Sequence, residues 1–144
     1  MSCFNNNDKA LLLRTDFSCD EKWKKCVHII RQPGEDFFCN MDFIDDVIFS
    51  GKNHQEILGQ IPNEYLYPVI FIADKITFLS DDFPCLVLGI NQYNRGLSFR
   101  AAACVLASVE NNLGIANMDF EDFADAVESD GVFRGFPRPS NEVD

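Results

Sequence analysis

Three uninterrupted apolar runs of strand length constrain the fold of this chain more than any other feature. They are Ala10–Leu13, Val69–Ala73 and Cys85–Ile90. Val69–Ala73 consists mainly of β-branched and aromatic residues, which favour β-structure. A run without polar alternation is typical of a strand covered on both faces, as in a parallel or partly parallel sheet. The sequence therefore predicts a buried sheet with helices packed against it.

Amphipathic segments alternate with these runs and predict the helices. The first has apolar residues at i, i+3, i+4 and i+7, namely Trp23, Cys26, Val27 and Ile30. Ser18 and Glu21 precede it with the spacing of a capping box, in which each side chain bonds a free backbone N–H. Asn53 and Glu56 predict the same cap for a short second helix, which ends at Pro62.

Other segments complete the predicted α/β domain. They are strands at Met41–Phe49 and Ile76–Leu79, a segment at Ser98–Ala103 that fits either strand or helix, a helix at Val105–Leu113, a last helix from Phe120 to Val127, and an apolar tail at Val132–Phe136. We expect a single domain over residues 1–144, frayed at 1–8 and 137–144. Its predicted architecture is a small sheet of three to five strands, partly parallel, with helices packed on it.

The charge of the chain restricts its partners. Its 144 residues include 23 acidic and 12 basic side chains, a formal net charge of −11. Such a charge disfavours nucleic acid and anionic membrane surfaces, which are bound through clustered Lys and Arg. It suits a protein partner with a basic surface, although solubility alone would also account for it. Because no apolar run reaches membrane-span length and no signal peptide is evident, we expect a cytoplasmic protein.

The sequence predicts no catalytic residue, metal site or cofactor. The six cysteines contain no Cys-x-x-Cys pair, and we expect them to be reduced. Cys26 and His28 lie two apart on a predicted helix and point away from each other, so they cannot form a nucleophile and base there. The carboxylates of residues 42–46 do not have calcium-loop spacing. Glycine-rich phosphate loops and nucleophile elbows are also missing from the sequence.

Two sets of residues remain as candidate binding sites. The first is a polar notch that would bind a small ligand, formed by Arg100, Glu110, Asn111, Asn117 and Arg134. The asparagines of this region also fit a purely structural role as helix caps, and the sequence leaves both interpretations open. The second is an acidic surface for a protein partner, formed by Asp42, Asp45, Asp46, Glu121, Asp122 and Asp125.

Much of the chain resembles a family of small, uncharacterised bacterial domains of unknown function. The most specific residues of the resemblance are Ser98–Arg100, Ser108–Ala124 and Asp130–Phe136, and Leu11–Phe17 and Phe71–Asp74 also fit the family's pattern. The resemblance implies one intact domain with its most distinctive residues near the C-terminus. It implies no activity, substrate or catalytic residue.

Three functional hypotheses follow from the sequence, of which the third is a structural subunit with a large apolar patch around Phe133 and Phe136. The first is a non-enzymatic module that binds a basic protein through its acidic surface, as small inhibitor and immunity proteins do. The second is an enzyme or small-ligand-binding protein that uses the polar notch. The second requires the five notch side chains to converge on one concave pocket, whereas helix caps and salt bridges would occupy them under the structural interpretation.

Overall fold

A computed structural model describes residues 9–32, 41–62, 65–114 and 118–136. These residues include six strands: β1 Ala10–Arg14, β2 Met41–Ile44, β3 Val69–Ala73, β4 Cys85–Gly89, β5 Ser98–Ala101 and β6 Val132–Phe133. They form one sheet in the order β2-β1-β3-β4-β5-β6. The predicted α/β class is confirmed, but the predicted three to five strands were too few. The sixth strand was missed because β6 has only two residues, too short to show a periodic pattern.

Within the same described ranges, four α-helices connect or cover the strands. They are α1 Asp20–Arg31, α2 His54–Gln60, α3 Ala103–Gly114 and α4 Phe120–Ala124. The capping box of α2 is confirmed, with Glu56 N–H donating to Asn53 Oδ1 at 2.8 Å and Asn53 N–H donating to Glu56 Oε1 at 3.1 Å. The capping box predicted for α1 is wrong. Cys19 is its N-cap, and the Ser18 N–H and hydroxyl both donate to the carboxylate of Asp16.

Short 3₁₀-helices replace one predicted strand and the second half of another. The strand expected over Met41–Phe49 ends at Ile44, and Val47–Phe49 forms a 3₁₀-helix whose N-cap is Asp46. The strand expected over Ile76–Leu79 is also a 3₁₀-helix, at Thr77–Leu79. In each case an aspartate accepts from a backbone N–H two or three residues later and turns the chain away from the sheet.

The sheet is mixed. β1 is parallel to both β2 and β3, β4 is antiparallel to β3 and β5, and β6 is parallel to β5. The five strands other than β4 therefore run in one direction. Their carboxyl ends lie at one end of the sheet, which is called the carboxyl end below. The amino ends of these strands lie at the opposite end, the amino end.

One face of the sheet packs against three helices. Phe71, Val87 and Phe99 occupy neighbouring register positions on β3, β4 and β5. The Phe99 ring meets Phe120 and Phe123 of α4 at centroid distances of 5.1 and 6.2 Å, and α1 packs on α3. The connections β1–α1–β2 and β5–α3–α4–β6 share this face but cross the sheet in opposite directions. They are therefore of opposite hand, and only one has the usual right-handed geometry.

No helix within the described ranges is long and apolar enough to cross a membrane.

Candidate functional site

Several hydrogen-bonded charged side chains, among them Arg14, Asp74 and Arg134, lie at the carboxyl end of the sheet. The loops that follow β1, β2 and β3, residues 15–19, 45–53 and 74–84, lie side by side there and are called the carboxyl-end loops. Backbone hydrogen bonds join them, from Thr15 N to Ala73 O and from Gly51 N to Thr15 O, each at 2.9 Å. Lys22 Nζ donates to Phe78 O at 3.0 Å and fixes the start of α1 against the same region. Ligand sites of α/β proteins commonly form at this end of the sheet.

Arg14, the last residue of β1, is almost completely buried at 1% exposure. Its guanidinium donates to the Asp16 carbonyl at 2.9 Å, to Asp20 Oδ1 at 2.9 Å and to Asp45 Oδ1 at 3.2 Å. The guanidinium carbon also lies 4.4 Å from the centroid of Phe17. Each of its three guanidinium nitrogens donates one of these hydrogen bonds, so Arg14 orders two carboxylates.

Asp74, which follows β3, forms a partly buried ion pair with Arg100. Arg100 donates to its two oxygens at 2.9 and 2.7 Å, and also to Pro84 O at 3.1 Å. The Thr77 hydroxyl and N–H donate to the same carboxylate, at 3.1 and 3.2 Å. Burial raises the pKa of Asp74, but the hydrogen bonds and charge of Arg100, with the bonds from Thr77, outweigh burial and lower the pKa below its ordinary value.

Arg134, just after β6, binds three carboxylates. It donates to Asp82 at 2.7 Å, to Glu128 at 3.0 Å and to Asp130 at 3.1 and 2.7 Å. The hydrogen bond from Arg134 lowers the pKa of Asp130, and the bonds to Asp130 and Asp82 raise the pKa of Arg134. These contacts join the end of the described chain to the loop before β4.

Three residues of the predicted polar notch, Arg100, Arg134 and Glu110, do not converge in the described structure. Arg100 and Arg134 lie at the carboxyl end, each neutralised by carboxylates. Glu110 lies at the amino end, because its Oε2 accepts from the hydroxyl of Tyr67, two residues before β3 begins, at 2.8 Å. A five-residue strand separates the two groups by roughly 16 Å. Asn111 follows Glu110 on α3, and Asn117 lies outside the described residues.

The hydrogen bonds of Asn112 on α3 fit the structural interpretation. Asn112 Nδ2 donates to Ser108 O at 2.9 Å, and Asn112 O accepts from Met118 N at 3.2 Å. The cap of α4 comes from Asp119 and Asp122, since Asp119 N donates to Asp122 Oδ2 at 2.8 Å. A carboxylate pair thus begins the last helix, which is also shorter than predicted and ends at Ala124.

A family model for a domain of unknown function, DUF6924, matches residues 9–136. The chain belongs to this family. The match begins at β1 and ends three residues after β6, so a DUF6924 domain comprises the whole sheet. The resemblance expected from the sequence is confirmed. No curated protein matches the chain.

The acidic residues proposed for partner binding fall into two separate groups on this DUF6924 domain. Asp45 and Asp46 belong to the carboxyl-end loops, and Asp42 on β2 pairs with Lys9 at 2.9 Å. Glu121, Asp122 and Asp125 belong to α4 or its C-cap. Because α4 packs on β5, the sheet order places this second group four strands away from β2. The two groups therefore do not form one continuous acidic surface.

The structure adds residues that the sequence interpretation missed. Four aliphatic side chains of the carboxyl-end loops are exposed: Val47 at 69%, Ile48 at 63%, Ile76 at 50% and Leu79 at 71%. The sequence predicts strands at all four positions. The available signal was Asp46 before the first pair and Asp74 before the second, because an aspartate that caps a turn ends a strand.

The described ranges contain no group of three or more His, Cys, Asp or Glu side chains arranged to hold a metal ion. The carboxylates at the carboxyl end bind arginines and backbone N–H groups instead. What this end presents to solvent is a set of aliphatic side chains beside partly exposed carboxylates.

Proposed function

We propose that this domain is a non-enzymatic protein-binding module, in the manner of small inhibitor and immunity proteins, and that it binds through its carboxyl-end loops. The observation that carries the proposal is the exposure of four aliphatic side chains on neighbouring loops, called the aliphatic cluster below: Val47, Ile48, Ile76 and Leu79. These side chains project from loops after β2 and β3, two strand spacings or about 10 Å apart. Exposed apolar clusters with polar rims are characteristic of protein interfaces.

The charges around this cluster support one kind of partner. Asp45 and Asp20 pair with Arg14, yet their side chains remain 49% and 75% exposed. Asp46 and Asp81 are exposed on the neighbouring loops. A partner with apolar side chains surrounded by Lys and Arg would complement this surface, and the acidic rim would accelerate encounter at low ionic strength.

The buried Arg14 contributes to the same function by fixing the rim. Its bonds to Asp20 and Asp45 hold the start of α1 and the end of β2 in one arrangement. A preformed surface loses less conformational entropy on association than a flexible one, so it binds more tightly for the same contacts.

The alternative function, an enzyme or small-ligand-binding protein using Arg100, Glu110, Asn111, Asn117 and Arg134, has less support. Its two arginines are engaged by Asp74, Asp82 and Asp130, and Glu110 lies at the other end of the sheet. Evidence of turnover in a substrate screen, abolished by Arg100→Gln, would restore it.

The proposal is tested by isolating a partner and measuring binding with purified proteins. Immobilised domain is used for capture from the source cell at low salt, and the identified partner is then titrated by calorimetry. The double variant Val47→Ser with Leu79→Ser should bind at least about tenfold more weakly, as expected when two interface anchors are lost. Rising salt should weaken the wild-type complex further.

The matched control is Leu66→Ser, because Leu66 is 72% exposed but lies at the amino end, before β3. It should leave the affinity unchanged. Failure to retain any protein at low salt, or equal weakening by the amino-end control, would contradict binding through the carboxyl-end loops.

A further inference from the structure

A groove of about 380 Å³ lies between α1 and β2. Trp23 and Val27 of α1 and Phe43 of β2 supply its apolar walls. Lys24, His28 and Arg31 add basic groups from the same helix. The volume lies in the range of small-molecule sites, which combine apolar walls with a few polar groups that orient the ligand.

The three basic residues share one side of the helix. Positions 24, 28 and 31 fall within an arc of about 60° on an α-helix. The guanidinium carbon of Arg31 lies 4.6 Å from the centroid of Phe43, which fixes this cation at the rim of the apolar wall. His28 lies beside Gln32, with 2.9 Å between His28 Nε2 and Gln32 Nε2.

Lys24 and Arg31 stand out because the chain is acidic. Across the described residues, the cations in salt bridges are Lys9, Arg14, Arg100 and Arg134, and none of them lines the groove. The carboxylate that does line the groove, Asp45, already accepts from Arg14 at 3.2 Å. Lys24 and Arg31 are therefore basic groups beside an apolar groove without a carboxylate partner in the described structure.

We propose that this groove binds a small organic anion with a flat apolar body, the chemistry of an aromatic carboxylate. The apolar body would lie between Trp23, Val27 and Phe43, and the carboxylate would accept from Lys24 and Arg31. Arg31 favours a carboxylate because its planar guanidinium donates two parallel hydrogen bonds. This site adjoins the acidic rim at Asp45, which also lines the groove, but it contains none of the four exposed aliphatic side chains and does not depend on the protein-binding proposal.

The chain offers a direct readout, because Trp23 is its single tryptophan. The ¹⁵N-labelled full chain gives one indole N–H resonance, which is followed while naphthalene-2-carboxylate is added. Naphthalene-2-methanol, which has the same ring system without the charge, is titrated in parallel. The acid should shift the Trp23 resonance to saturation and bind more tightly than the alcohol.

Matched variants on α1 distinguish binding in the groove from nonspecific attraction between the acid and a positive charge. Lys24→Gln combined with Arg31→Gln should weaken binding of the acid about two- to tenfold, the range for one or two partly exposed ion pairs. It should leave the alcohol unaffected. Lys25→Gln removes an equal charge from a residue directed about 100° away from Lys24, and it should change neither affinity.

Three results would overturn the proposal. They are equal affinities for acid and alcohol, a loss with Lys25→Gln as large as that with the double variant, and no saturable shift of the Trp23 resonance up to the solubility of the acid. All these substitutions are at exposed positions of α1, so we expect each variant to fold. The remaining amide resonances show whether it does.

Discussion

Arg100 and Asp74 form a bidentate ion pair that spans β4, joining β5 to the loop after β3. The sheet register explains how Arg100 reaches Asp74 across β4. Arg100 lies opposite Leu86, and Leu86 lies opposite Ile72, two residues before Asp74. All four side chains therefore lie on one face of the sheet. The pair closes that face at the carboxyl end, where Thr77 completes the hydrogen bonds of the carboxylate.

The lowered pKa of Asp74 predicts a specific pH dependence of stability. A carboxyl group whose pKa is lower in the folded state stabilises the fold above its unfolded pKa, near 3.8. That contribution is lost as the pH falls through the lower, folded pKa. Asp74→Asn should reduce the free energy of unfolding by about 1–3 kcal/mol at pH 7, and the difference should shrink below pH 4.

Urea denaturation from pH 7 to pH 3 measures this difference. Asp81→Asn, on the same loop but exposed, should have little effect at any pH. A difference for Asp74→Asn that stays constant or grows in acid would show that Asp74 is not the titrating partner of Arg100.

We expect Arg14→Lys to lower the free energy of unfolding substantially although it keeps the positive charge. Arg14→Lys retains one cation but cannot reach Asp16 O, Asp20 and Asp45 together, so buried hydrogen bonds are lost. We expect the free energy of unfolding to fall by about 2–3 kcal/mol. Chemical denaturation followed by Trp23 fluorescence measures it. Arg95→Lys, which alters bonds from an exposed residue to two carbonyls, should cost less than about 1 kcal/mol.

Gly89 and Gly59 predict opposite effects of the same substitution. A Cβ on Gly89 would lie 2.5 Å from the backbone oxygen of Asn94, and no flexible side chain can relieve that contact. Gly89→Ala should therefore cost about 2–3 kcal/mol through strain. Gly59, within α2, has nothing within 4 Å of its added Cβ. Gly59→Ala should stabilise by up to about 1 kcal/mol, and thermal melts of the two variants should move in opposite directions.

The cysteines predict an ordered pattern of thiol reactivity. The hydrogen bond with Cys26, together with burial, raises the pKa of the Cys85 thiol well above its ordinary value. Cys104 is exposed on α3. Because the thiolate is the reactive form, iodoacetamide should label Cys104 quickly in the native protein and Cys26 and Cys85 only after unfolding. Peptide mapping by mass spectrometry resolves each site, and early labelling of Cys85 would refute the buried contact.

The fold was more predictable than the candidate site. The continuous apolar runs at β1, β3 and β4 identified central strands, because a strand buried on both faces consists almost entirely of apolar residues. The shorter elements were harder. Val47–Phe49 and Thr77–Leu79 have the composition of strands, but Asp46 and Asp74 redirect their backbones through local hydrogen bonds.

The site could not be predicted because it depends on which residues the topology brings together. Arg100 and Glu110 are ten residues apart in sequence, yet the helix after β5 carries Glu110 back to the amino end. Arg14 and Asp45 are distant in sequence and meet because β1 and β2 are parallel neighbours. Hydrophobic periodicity reports burial within one element and carries no information about such pairings.

The two edges of the sheet also limit how another protein can bind this domain. β2 has four residues, with the Lys9–Asp42 ion pair at its start, and β6 has two. Both edge strands are short within the described residues, and short, charged edges disfavour the addition of a strand from another protein. We therefore expect a binding protein to recognise side chains of the loops and helix surfaces.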